Sequence, residues 1–297
     1  MLTTLGKHLP YRSALPAVRG ALKSSFSFYR KAPLRAFSSQ QHNSVAFVAI
    51  GDELLNGKIA DTNLAYLASK LTPRGVTIKR AEFVRDNLED IEATLRRLRK
   101  EVVPGPTGAI ITSGGIGPTH DDITYDAVAA AVNTHLDVHA GTLERMTRHY
   151  ESQGKEVNEA RMRMATLPVS AEVLTTDGLW VPVVNADNTY VLPGIPRLFR
   201  SLVDAHIDRF RGDLGNWRLV NLYTTAGEGD YATKLGELAA RYPTVSIGSY
   251  PGDMTSSKQE TKLTVEGFNE SDVDAAAEEV KQLVGGIVRE ERKTSDV

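Results

Sequence analysis

The chain has 297 residues, with 35 Lys and Arg against 37 Asp and Glu, a net charge of −2 and no cysteine. That excludes disulfides, thiolate nucleophiles and cysteine–zinc centres, and no apolar run reaches the length of a membrane span. The charge is unevenly placed: residues 1–40 hold seven Lys and Arg and no acid, leaving 28 basic against 37 acidic side chains, a net of −9, for the remainder. A body that acidic argues against non-specific nucleic-acid binding.

Residues 1–40, basic, serine-rich and free of acid, match a mitochondrial transit peptide. Arg12, Arg19, Lys23 and Arg30 share one helical face, and Leu15, Val18, Leu22, Phe26 and Tyr29 another. Pro16 starts the usable helix late. Arg35-Ala36-Phe37-Ser38 resembles a matrix-processing site, with cleavage after Phe37. A disordered basic tail is the alternative. The expected address is the mitochondrial matrix, and the segment stands outside the fold.

The apolar run Val45-Ala46-Phe47-Val48-Ala49-Ile50 reads as a first buried strand, followed at once by Gly51, Asp52 and Glu53. Leu64, Leu67, Ala68 and Leu71 at helical spacing predict a helix, with Asp61 or Thr62 as its cap and Gly75 beyond its end. Residues 76–84 predict a second strand, followed by Arg85, Asp86 and Asn87, and Leu88, Ile91, Leu95 and Leu98 a second helix. A third strand at 108–111 leads into Thr112-Ser113-Gly114-Gly115-Ile116-Gly117-Pro118-Thr119-His120-Asp121-Asp122-Ile123-Thr124 and an alanine-rich helix. Strands alternating with helices predict a parallel sheet, which binds ligands beyond the carboxyl ends of its strands. Asp52, Glu53, Asp86, Asp121 and Asp122 are therefore expected at one edge.

Three glycines in four residues let backbone N–H groups turn toward an anion. Carboxylates beside a phosphate repel it unless a cation lies between, so the pattern points to a divalent metal on a phosphorylated ligand. The plainer reading is a glycine turn in which Asp121 or Asp122 caps the helix.

Gly51-Asp52-Glu53-Leu54-Leu55-Asn56-Gly57 with Asp61-Thr62-Asn63, the glycine–Asp-Asp motif, and Leu192-Pro193-Gly194-Ile195-Pro196 together resemble the molybdopterin-binding-type (MoaB/Mog-like) domain. They are closest in pattern to its branch in the competence-inducible CinA family and at the N-terminus of animal FAD synthases. The resemblance covers roughly residues 45–284. It implies a three-layer α/β domain with a parallel sheet, followed by a small α/β sandwich domain. It also implies a sheet edge that takes a pterin phosphate or the diphosphate of an adenine dinucleotide, and some relatives of this kind are metal-dependent pyrophosphatases acting on ADP-ribose or FAD. Carried onto this chain, it assigns Asp122, Asp86, Asp52 and Glu53 to catalysis, and Asp122 and Asp86 to a divalent metal, Mg²⁺ or Co²⁺. The phosphate and nucleotide are assigned to Ser113, Gly114, Gly115, Gly117, Pro118, Thr119, Asp121, Asn63, Arg163 and Gly194. Arg163 enters because a basic residue at its place often faces ligand phosphates; a solvated helix face is the plainer reading.

Residues 141–152 and 156–164 read as helices, and 177–192 as two strands joined by a hairpin turn, closer to the FAD-synthase branch. Neither the amidase domain of bacterial CinA proteins nor the adenylyl-transferring domain of FAD synthases falls within residues 1–297. The first domain is expected over 44–211, with a boundary at 211–216. Over 216–288 a β-α-β-β-α order without an acidic cluster predicts a structural or dimerising module, and 289–297 a disordered tail. No Walker loop, dinucleotide fingerprint or Gly-x-Ser-x-Gly elbow occurs. His135 and His139 flank an alternating segment and read as incidental, not as a zinc pair.

The expected function is a metal-dependent pyrophosphatase cleaving FAD or ADP-ribose to AMP and a second phosphate. The alternatives are a molybdopterin-binding protein of molybdenum-cofactor metabolism and a non-catalytic nucleotide-binding member. The expected partners are a nucleotide or pterin phosphate and further copies of the chain, with no nucleic acid and no membrane.

Overall fold

Strand β1 (Ser44–Ile50) is buried along its whole length, so both of its alternating side-chain sets lie under cover. A parallel strand sandwiched between helices has this signature, whereas a half-exposed one alternates with polar residues. The computed structural model describes residues 44–105, 107–169, 171–210, 217–252 and 260–294. Residues 1–40, the 211–216 boundary and the end of the tail, 295–297, lie outside them, and with them the transit-peptide reading. Among the described residues no helix is long and apolar enough to cross a membrane.

After β1 come a single turn α1 (Asp52–Leu55), helix α2 (Asn63–Leu71), strand β2 (Thr77–Val84), helix α3 (Leu88–Glu101) and strand β3 (Gly108–Ser113). Helix α4 (Thr124–Ala131) follows the glycine loop. A small excursion comes next, made of β4 (Leu136–Val138), α5 (Ala140–Glu151), α6 (Glu159–Met162) and β5 (Thr166–Pro168). The domain closes with β6 (Glu172–Leu174), β7 (Val183–Ala186), β8 (Thr189–Leu192) and α7 (Pro196–His206).

The main sheet runs β2-β1-β3-β8-β7-β6. Its first four strands are parallel, and β7 and β6 extend it antiparallel to their neighbours. Helix α2 packs with α7, and α3 with α4. Phe47 meets Phe199 of α7 edge-to-face at 6.2 Å. The expected three-layer, parallel-dominated architecture is the one observed.

Local chemistry explains the joints. Asp61 starts α2 by accepting from the amides of Asn63 and Leu64, and Gly75 ends the following turn with φ of +74°. Asn87 caps α3 through Asp90 N–H. The β7–β8 hairpin turns on Asp187 and Asn188, with φ of +49° and +58°, the tight two-residue turn that matches strand twist. Strand β6 was not foreseen: three residues are too short for a periodicity signal. The helix expected over 156–164 is a single turn, 159–162, continued by a tighter turn to Ala165.

The second domain consists of β9 (Arg218–Thr224), α8 (Glu228–Arg241), β10 (Val245–Tyr250), β11 (Thr261–Gly267), α9 (Glu270–Val284) and β12 (Ile287–Thr294). It has its own core, in which Val220, Leu222, Leu263 and Val265 meet Val273, Ala276, Ala277 and Val280. The sheet order is β10-β11-β9-β12, antiparallel throughout. Of the tail expected to be disordered over 289–297, residues 289–294 belong instead to strand β12. Its low apolar content concealed its partners: Arg292 binds Asp274 and Glu278 of α9, Lys281 binds Glu290, and Arg289 stacks on Tyr223 at 3.8 Å. Charge-rich sequence is common on an edge strand, where it blocks further pairing.

Candidate functional site

The parallel register brings the key loops to one level. Ile50 pairs with Val84, Ala49 with Ser113, and Ser113 with Leu192. The chain therefore leaves β1 at Asp52, β2 at Asp86, β3 at Gly114 and β8 at Gly194 along a common edge, the end where such sheets bind ligands.

The glycine loop owes its shape to two close approaches. Gly114 has φ of +113°, and a Cβ there would lie 2.2 Å from Ile50 O. Gly115 has φ of +64°, and its Cβ would lie 2.3 Å from Thr124 Oγ1. Only glycine fits both the dihedral and the space. Thr124 then closes the loop, donating Oγ1–H to Gly114 O at 3.0 Å and N–H to Gly115 O at 2.9 Å. Helix α4 has Ile123 at its cap position with no side-chain bond, so neither Asp121 nor Asp122 caps it. Gly114 N–H is committed to Leu192 O at 3.1 Å, which removes it from the expected set of phosphate donors.

The two adjacent aspartates part company. Asp122 Oδ2 accepts from Thr119 N–H at 2.8 Å and from Thr119 Oγ1. Its carboxylate lies over Gly117, where a Cβ would approach within 2.6 Å. Asp121 instead contributes its charge to Asp86. Arg163 holds this loop from outside, donating to Thr119 O at 3.0 Å and Asp122 O at 3.2 Å. Its guanidinium thus binds backbone carbonyls of the loop and does not simply face solvent. Pro118 and Thr119 are exposed at the loop's tip.

Asp86 accepts the Asp52 backbone N–H at 2.8 Å. Burial pushes its carboxyl pKa upward; that amide opposes the shift, and the negative charges of Glu53, Asp121 and Asp52 reinforce it. Three of the other four expected carboxylates therefore act on Asp86. Asp52 is held below its ordinary pKa by a hydrogen-bonded pair with Arg85, with Lys58 adding a smaller pull. Asp121 is also held low, by the Thr119 hydroxyl and its own amide. The Glu53 carboxylate folds back toward Gly51, whose Cβ would lie 2.6 Å from it. Among the described residues no three His, Asp or Glu side chains converge as a ready-made metal cage.

Asn63 ties the motifs together. It is 3% exposed, and its Nδ2 donates to Ser113 Oγ and Gly194 O, both at 2.9 Å. Because the second acceptor is a carbonyl, the amide cannot be turned over without setting two oxygens face to face. Arg85 and Lys58 were missed from sequence, although Arg85 adjoins Asp86 and a cation beside a predicted anion site was a usable signal.

Residues 46–211 match the family described as "Probable molybdopterin binding domain", more than half of the chain. The chain belongs to this family. Its residues 217–291 match "FAD synthase, middle domain". Among relatives, a "Probable FAD synthase" of Caenorhabditis elegans is 29% identical over 285 residues, covering 86% of this chain and 53% of that protein. A "CinA-like protein" of Myxococcus xanthus is 28% identical over 257 residues, covering 81% and 59% respectively. The chain thus spans little more than half the length of either. The crystal structure of CinA from Thermoplasma acidophilum, a protein of unknown function, aligns with TM-score 0.50 and 25% identity over 57% of this chain and 99% of that one.

Proposed function

We propose that this chain is a cation-dependent nucleotide pyrophosphatase that cleaves the diphosphate of FAD or ADP-ribose, releasing AMP and the second phosphate. The observation that carries the reading is Asp86, half-buried beside a glycine loop and within the fields of Glu53, Asp121 and Asp52. Crowded carboxylates next to an anion-binding loop either hold a proton or are offset by a cation, and a cation also suits a phosphate ligand. Mg²⁺ typically takes one or two protein carboxylates and completes its shell with water and substrate phosphates, so no three-carboxylate cage is required. A cation held there supplies charge neutralisation and polarisation at the phosphoryl group.

The remaining roles belong to the chain itself. Gly115 and Gly117 would offer amides to the diphosphate, with Gly114 serving geometry. Asp86 and Asp121 would flank the cation. Asp122 lies directly over Gly117, so an arriving phosphate must either share a cation with it or displace it from Thr119. Asp52 or Glu53 would orient the attacking water. The relative named as a probable FAD synthase favours a flavin dinucleotide. The family description favours a second reading, a pterin phosphate bound at the same edge.

The test is AMP release from FAD and ADP-ribose with Mg²⁺ or Co²⁺, with and without chelator. Asp86→Asn and Asp122→Asn should each lower turnover about 10²- to 10³-fold, the usual cost of removing an electrostatic group of this kind. Activity that persists in chelator would overturn the mechanism. No AMP from either dinucleotide, together with tight binding of a pterin phosphate, would select the second reading.

A further inference from the structure

Arg85 follows the last residue of β2 and directly precedes Asp86. Its guanidinium grips Asp52 at the end of β1 with both arms, Nε to Oδ1 and Nη2 to Oδ2, each at 3.1 Å. Asp52 in turn gives its backbone N–H to Asp86 Oδ2 at 2.8 Å. The cation is thus fastened to the carboxylate cluster where two neighbouring strands release their chains. The pair is not buried: the Arg85 side chain is 68% exposed and that of Asp52 48%. Exposed ion pairs contribute little to folding, so this one invites a role in binding.

We propose that Arg85 is a phosphate-gripping residue that exchanges partners. In the ligand-free chain it rests on Asp52; when a diphosphate arrives it turns its fork onto two phosphate oxygens and releases the Asp52 carboxylate to solvent. The proposal rests on the reading of this edge as a diphosphate site. The planar guanidinium fork fits phosphate and carboxylate with the same two-bond geometry. A diphosphate brings more than one negative charge, whereas Asp52 offers one, so the exchange runs toward the ligand. The edge also needs it: an anion entering here meets Asp52, Glu53, Asp86 and Asp121. Arg85 and Lys58 are the cations whose charge acts on Asp52.

The experiment is isothermal titration of the full chain with inorganic pyrophosphate, in chelator and again with Mg²⁺. Wild type, Arg85→Ala, Arg85→Lys and Asp52→Asn are compared, each with its thermal midpoint. Arg85→Ala should weaken pyrophosphate binding by at least about tenfold, the scale of a charge-assisted bidentate contact. Arg85→Lys should recover only part of that loss, since an ammonium cannot match two oxygens in one plane. Asp52→Asn removes the competitor and should tighten metal-free binding. Unchanged affinity with equal falls in thermal midpoint would mean the pair is structural and would overturn the proposal. So would a wild type that binds no pyrophosphate, and a loss in Arg85→Ala without the gain in Asp52→Asn would refute the exchange. Affinity is read here without turnover. A chain that binds pyrophosphate through Arg85 yet cleaves neither dinucleotide would refute the pyrophosphatase reading and sustain this one.

Discussion

Asn63 joins residues distant in sequence through one carboxamide: Ser113 lies 50 positions away and Gly194 131. Both bonds are made from Nδ2, the one to Ser113 buried and the one to Gly194 partly so. Asn63→Ala leaves the buried Ser113 hydroxyl short of a donor, which costs about 1–3 kcal/mol for an unsatisfied buried group, while the Gly194 carbonyl, on an exposed residue, can turn to water. Asn63→Asp should be worse, because a buried carboxylate cannot donate and meets a carbonyl oxygen. Urea unfolding of both variants checks this order, and equal stability of Asn63→Asp and wild type would sink the clamp. At the same scale Asp121 and Asp122, adjacent in sequence, both engage Thr119, and the charge of Asp121 acts in addition on Asp86.

At the scale of elements, β12 changes the character of the second domain. With it, β9 is an interior strand paired to β11 on one side and β12 on the other. Ending the chain after Val284 would leave β9 as an edge with unpaired backbone groups, which invites association. Hydrogen exchange of the β9 amides should then accelerate by at least about tenfold, corresponding to ~1.4 kcal/mol of lost local stability. Unaltered protection would mean that β12 adds nothing to the sheet. The glycine loop is an element of the opposite kind. Its shape comes from its own glycines, from Thr124 behind it and from Arg163 beside it, which leaves its tip in solvent.

Across the whole molecule, chemistry and architecture are divided. The clustered carboxylates belong to the domain containing β1–β8, whereas the second domain has a separate core and a charge network on its α9–β12 side. Acid-free residues 1–40 contrast with the acidic remainder. They are expected to direct import into the mitochondrial matrix and to be removed after Phe37. N-terminal sequencing of protein recovered from cells tests this. A cytosolic chain that retains Met1 would refute it.

The alternation of strand and helix, the buried β1, the Asp-and-glycine punctuation at strand ends and the hairpin at 187–188 were all legible in the sequence. Each is a local signal: burial period, dihedral need or turn chemistry decides it within a few residues. The family followed from the same motifs, because their order and spacing survive in one dimension. Only the tertiary structure decided that Gly114 spends its amide on Leu192, that Arg163 serves the loop backbone, and that Arg85 is paired with Asp52. It also decided that the charged tail is a strand. These depend on which groups meet after the strands are set in register, and a hydrogen-bonding side chain has several equivalent partners until the fold removes all but one.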